Sequence, residues 1–200
     1  MSTPPEAQAV APKRQRGRDR VEAILEAATA LFNQKPYEAV TMTEIAERSS
    51  TAIGSLYRFF PTKEALAAAL LDHYGVKLIA AFDALIGSPA AQSAPQAAAG
   101  LLVLLQGLRR DRSVALGLLD AGAGLNRARG MLRVAMLGRL SALLRRLGAS
   151  EPELETRALM LQFLVKAIFA LPQDDLKLAE GLDQEAQAVL QGYLERATGT

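Results

Sequence analysis

Apolar residues along this chain recur every three to four positions and almost nowhere alternate. Val21, Ile24, Leu25, Ala28, Leu31 and Phe32 stand at i, i+3, i+4, i+7, i+10 and i+11, the spacing of one buried stripe on an amphipathic helix, and Pro36 ends it. Thr41-Met42-Thr43-Glu44 then reads as a capping box that opens a short helix through Ile45, Ala46 and Arg48. Ser49-Ser50-Thr51 is a polar break, and the stretch from Ala52 to Phe60 is a second short helix that stops before Pro61. Two short helices joined by three polar residues form the helix-turn-helix pattern.

Thr62 caps a longer helix that runs through Leu66, Leu70, His73, Tyr74, Leu78, Phe82 and Leu85 to the breaker Gly87-Ser88-Pro89. Five further segments follow, at Gln96 to Arg110, Ser113 to Ala121, Asn126 to Leu147, Glu151 to Leu171 and Leu176 to Arg196, the last with a possible interruption at Gly181. Ser150-Glu151-Pro152-Glu153 marks the fourth of these with a second capping box and a proline in the first turn. With β-branched runs absent and Ala and Leu dominant, the pattern predicts an all-α protein of about nine helices.

Charge and composition narrow the chemistry. The 200 residues are 50% hydrophobic and carry a net charge of only +2, so the chain is not a polycation. The excess lies at the front, where Lys13, Arg14, Arg16, Arg18 and Arg20 stand against Asp19 as a short basic arm. No cysteine is present and His73 is the one histidine, which removes thiolate nucleophiles, Cys-bearing zinc sites and imidazole clusters. No metal, cofactor or catalytic residue is expected, and an enzyme ranks last among the function classes. No run reaches the roughly 18 uncharged apolar residues of a membrane helix, the longest apolar stretch, Leu159 to Leu171, being broken by Gln162 and Lys166. Met1 to Pro12 lacks the apolar core of a signal peptide, so no membrane partner is expected and the default location is cytoplasmic.

The run from Thr41 to Leu66, TMTEIAERSSTAIGSLYRFFPTKEAL, resembles the DNA-binding domain of the TetR family of bacterial transcriptional regulators. Thr41, Ile45-Ala46, Gly54, Leu56-Tyr57, Phe60, Lys63-Glu64 and Leu66 carry the resemblance. It implies a three-helix domain at 18-70 and a helical ligand-binding and dimerisation domain at 71-200; the composition of the tail before them, 1-17, reads as a flexible basic arm. The sequence departs from the family pattern at Pro36, Ser50, Thr51 and Ala52; Ser50 occupies a turn position where glycine is usual, at a cost if its φ is positive.

The resemblance implies a dimer that binds double-stranded DNA at a palindromic operator, a repressor released by a small-molecule effector. Thr41 and Thr43, at the start of the second helix, together with Tyr57 and Lys63, fall where the family contacts phosphates, which position the protein without reading sequence. Base reading falls to the exposed face of Ile53, Gly54, Ser55 and Arg58, with Ile53 suited to a thymine methyl. Arg16 and Arg18 are placed to reach the adjacent minor groove or flanking phosphates. The plainer readings are Tyr57 in the core, a solvated basic arm, and His73 as a hydrogen-bonded interdomain residue. For the arginines from Arg127 to Arg146, a solvated face is favoured over a second nucleic-acid surface.

Effector-binding candidates are Phe82, Leu101, Leu105, Leu118, Met131, Met136 and Phe169, with Gln106 and Gln162 as polar anchors. No charged cluster points inward by spacing, which favours a neutral or hydrophobic effector. The helix from Thr62 to Ile86 is the lever that would join effector and DNA sites. The segment at about 151-171 is apolar nearly all round and must be covered on two sides, so it and the last helix, about 176-196, are expected to pair with their symmetry mates in a homodimer. The alternative function is a helical small-molecule carrier or sensor that binds DNA only weakly.

Overall fold

The computed structural model describes residues 13–121, 126–170 and 176–199, the side chain of Phe169 not among them. Among the described residues there are nine α-helices and no strand. The chain divides into two compact units, residues 1–70 and 71–200.

In the first unit, α1 (Lys13–Phe32) buries Ile24, Leu25, Ala27, Ala28 and Leu31 along one stripe. It starts at Lys13, so the part of the basic arm from Lys13 to Gly17 is helical and not a flexible tail, in keeping with the good helix propensity of Lys, Arg and Gln. Residues 1–12 of that arm lie outside the described residues. Ile45 and Ala46 of α2 (Met42–Arg48), Leu56 of α3 (Ile53–Phe59) and Leu66 and Ala67 of the first turns of α4 (Lys63–Gly87) complete this core.

The turn between α2 and α3 is closed by the backbone. Ser50 has φ 51°, its N–H donates to the Glu47 carbonyl at 3.1 Å, and the Thr51 N–H donates to the Ala46 carbonyl at 2.9 Å. These are the two bonds of a Schellman motif, whose left-handed position is usually glycine. The same pair recurs at Gly148 (φ 94°), where Gly148 N–H bonds the Arg145 carbonyl and Ala149 N–H the Leu144 carbonyl. Ser50→Gly is therefore expected to raise the stability of the first unit by up to about 1 kcal/mol, the Cβ strain removed exceeding the entropy gained by the unfolded chain. Chemical denaturation checks it, and a less stable variant contradicts the strain argument.

The second unit holds the rest of α4 with α5 (Ala94–Gly107), α6 (Arg109–Asp120), α7 (Asn126–Arg146), α8 (Leu154–Phe169) and α9 (Leu176–Thr198). α5 packs on α9 and α7 on α8, around Phe82, Leu101, Leu118, Leu140, Leu143, Leu161, Val165, Leu190 and Leu194. Fully buried Ala97 and Ala98 keep the α5 surface low. α4 and α7 meet closely at Gly75, where a Cβ would stand 2.9 Å from Leu132 Cδ2.

Three expectations change here. Ser150 makes no cap, because Glu153 pairs with Arg157 one turn ahead and Glu151 with Arg145 (2.8 Å); Glu151–Glu153 is a 3-10 turn, and α8 begins at Leu154. Gly181 does not interrupt α9. By length and composition α4 is apolar enough to cross a membrane, contrary to the expectation that no run would be. It is also partly buried within the fold and carries Asp72, His73 and Lys77, the last bonded to Asp111 of α6 at 2.9 Å. Helix-on-helix packing accounts for that apolarity.

Candidate nucleic-acid interface and ligand cavity

The start of α2 is fixed by the reciprocal bonds that TMTE predicts. The Glu44 N–H donates to Thr41 Oγ1 at 3.2 Å, and the Thr41 N–H to Glu44 Oε2 at 2.8 Å. The Thr41 hydroxyl proton also goes to Glu44 Oε2 (3.0 Å), so at this helix start the hydroxyl of the exposed Thr43 is the one facing solvent. Lys35 donates to Glu44 Oε1 at 2.6 Å. That bond first, and the two Thr41 bonds after it, hold the Glu44 carboxyl down at about 2 from an ordinary 4.5.

A depressed carboxyl stabilises the fold fully above the unfolded value and loses that contribution as pH falls through the folded one. Glu44→Gln is thus expected to lower the melting temperature by a constant amount above pH 5. The gap should shrink between pH 4.5 and pH 2. Melting curves across that range test it, and a gap independent of pH contradicts the assignment.

α3 is short and presents two unlike faces. Leu56 and the following Phe60 are buried, whereas Ile53, Gly54, Tyr57 and Arg58 are exposed and Ser55 is half-buried. Tyr57, at 47% exposure, is a surface residue and not core. Ala52 precedes α3 without a side-chain cap, which leaves the first N–H groups of the helix unoccupied by any side chain of the turn. The Arg58 guanidinium lies 5.7 Å from the Phe59 ring centre.

Lys63 opens α4 with Nζ 4.3 Å from the centre of the Tyr37 ring, donating to the Glu38 carbonyl at 3.4 Å. Tyr37 in turn stacks on Phe32 at 5.6 Å. This aromatic pair holds the Lys63 ammonium near the α3–α4 junction; the sequence reading missed Tyr37, and the only signal was an aromatic next to the helix-ending Pro36. Arg16 and Arg18 are exposed on α1.

Within the second unit a cavity of about 430 Å³ opens among α4, α6, α7 and α8. Tyr74, Leu78, Ala115, Leu116, Leu119, Leu132 and Met136 form its apolar wall. Of the expected effector residues only Met136 and Gln162 line it. Phe82, Leu101, Leu105 and Leu118 are core, filling the spaces between helices, and Met131 is 64% exposed. Gln106 sits on the surface, bonded to Asp183 at 2.8 Å, and the Phe169 side chain lies outside the described residues. His73 is half-buried on α4.

Spacing along the sequence gathers no charged cluster inward, yet Arg112, Arg129, Arg133 and Lys166 all line the cavity. Arg129 and Arg133 are four apart and share a face of α7; both are exposed, as a solvated face requires, and both border the cavity. The one sequence signal for Lys166 was a lone charge in an apolar helix.

Comparison with known proteins adds a family match over part of the first unit, and a fold. The family model described as "Bacterial regulatory proteins, tetR family" matches residues 24–70. An HTH-type transcriptional repressor of Mycobacterium tuberculosis is 46% identical over 63 residues, 31% of this chain and 34% of that protein. The HTH-type transcriptional repressor KstR of Mycolicibacterium smegmatis is 48% identical over 46 residues, 23% of this chain and 22% of KstR. The match thus spans about a third or less of the curated relatives' length. Among solved structures, Salmonella enterica GusR superposes with a TM-score of 0.71 at 17% identity, covering 91% of this chain and 96% of GusR. A TetR-like transcriptional regulator from Rhodococcus sp. RHA1 gives 0.64 at 21% identity, with 88% of this chain and 94% of that one covered. At these identities the likeness is one of fold.

Proposed function

We propose that this chain, whose residues 24–70 match the family model of bacterial tetR regulatory proteins, is a DNA-binding transcriptional regulator, a cytoplasmic repressor that a small-molecule effector releases from a palindromic operator. The observation that carries the reading is the outer face of α3, where Ile53, Gly54, Tyr57 and Arg58 are exposed on a helix held by a capped α2 and a Schellman turn. Ile53 and Gly54 offer an apolar, low-profile surface to a base edge, and Tyr57 and Arg58 offer polar contacts. Thr43 and Lys63 flank them as phosphate contacts, and Arg16 and Arg18 extend the positive surface along α1.

A dimer supplies the second half-site. α8 exposes Met160 and Phe163, and α9 exposes Val189, apolar side chains that stay in water unless a second copy covers them. Pairing α8 and α9 with their symmetry mates makes an isologous four-helix interface, and two recognition helices about 34–36 Å apart reach successive major grooves.

Two substitutions separate positioning from reading. Lys63→Ala is expected to weaken binding to all duplexes alike and to lower the salt slope by about one. Ile53→Ala is expected to relax preference at one base pair of each half-site, by about tenfold or less. Fluorescence anisotropy on matched and single-substituted duplexes reads both; unchanged preference in Ile53→Ala would sink the base-reading role of α3.

A further inference from the structure

We propose that the cavity among α4, α6, α7 and α8 takes an amphiphilic organic anion, a carboxylate or phosphate head on an apolar body, and that this is the effector class of the protein; the second clause rests on the regulator reading above.

Three helices bring positive charge to one mouth. Arg112 comes from α6, Arg129 and Arg133 from adjacent turns of α7, and Lys166 from α8, while no acidic side chain is among the residues that line the cavity. Backbone carbonyls fix two of them in place. Arg112 donates to the Lys166 carbonyl at 3.3 Å, and Arg129 to the Leu119 carbonyl at 2.7 Å. The Lys166 ammonium feels the gathering directly, its pKa lowered first by burial and then by Arg133, Arg112 and Arg129 in turn. An anion beside these groups gains charge-assisted hydrogen bonds, Arg being suited to bidentate contact with a carboxylate or phosphate.

The interior favours an apolar tail. Leu78, Ala115, Leu119, Leu132 and Met136 form its wall, and a volume of about 430 Å³ lies in the range of sites for small organic ligands. Two polar groups accompany them. Gln162 is 2% exposed and donates to the Arg133 carbonyl at 2.9 Å, which ties α8 to the turn of α7 that carries one of the cations. The Tyr74 phenol, its pKa pushed up to about 12 by burial, is a hydrogen-bond donor at neutral pH. A neutral ligand of the same shape would gain no charge-assisted bond from these side chains, and a cationic one would add a fifth positive charge.

Isothermal titration of the full chain, without DNA and below the micellar concentration of each probe, tests the binding step with dodecanoate, dodecyl phosphate, dodecanol and dodecylamine. We expect one site per chain, with either anion bound at least about tenfold more tightly than dodecanol and dodecylamine not bound. The two anions together tell carboxylate from phosphate heads. Lys166→Gln, at an exposed position, is expected to cost about five- to tenfold, and Arg112→Gln with Arg133→Gln more, whereas Arg133→Lys stays within a few-fold. Equal binding of dodecanol and dodecanoate, or dodecanoate affinity unmoved in Lys166→Gln, overturns the ligand class whatever the DNA results. Tight anion binding that leaves a bound operator duplex in place overturns the effector role alone.

Discussion

Phe163→Asp is expected to turn the dimer into a monomer and to lower affinity for a two-half-site duplex by about two orders of magnitude or more, the scale of avidity from joining two modules. Phe163 is 57% exposed on α8, one turn from exposed Met160, and in the proposed dimer a carboxylate there would be buried against its own symmetry mate. Since the side chain faces water in a single chain, the helical content should be preserved. Sedimentation and anisotropy measure the two effects, and a variant that remains dimeric with unchanged affinity would move the interface off α8.

Leu56→Ala is the second substitution with a large consequence. Leu56 is fully buried, on the inner face of α3, and a Leu-to-Ala change at such a site costs about 2–5 kcal/mol. The first unit is small, so its whole margin of stability is of that order. The expected result is loss of hydrogen-exchange protection in α1, α2 and α3 and loss of DNA binding, with the second unit still protected. Uniform loss of protection along the chain would contradict two separately stable units, and intact binding would contradict the packing of α3 on this core.

The helix-turn-helix was legible because its determinants are local. Thr41 and Glu44 announce their own hydrogen bonds at a spacing of three, and three polar residues set the turn, with Ser50 in the left-handed conformation that glycine usually takes there. The α8 start was misread because the same S-x-x-E spacing yields to a competing partner, Arg157, which lies one turn further on. At the front of the chain, charge was taken for flexibility, although the Lys13–Gly17 stretch is made mostly of residues that favour helix.

The cavity was the least legible feature. Helical periodicity tells which side chains turn inward but not which gap between helices stays open. Phe82, Leu101, Leu105 and Leu118 turn inward and fill space, whereas the open volume lies beside Tyr74, Leu78 and Met136. Its cations come from three helices far apart in sequence, so no local spacing gathers Arg112, Arg133 and Lys166.

Selection of bound duplexes from a random library by the purified 200-residue chain, at near-physiological salt, tests the central claim most directly. The account predicts enrichment of an inverted repeat whose half-site centres lie about one helical turn, or a small whole number of turns, apart. A folded, dimeric chain that enriches no sequence, or only a single unrepeated half-site, would contradict it.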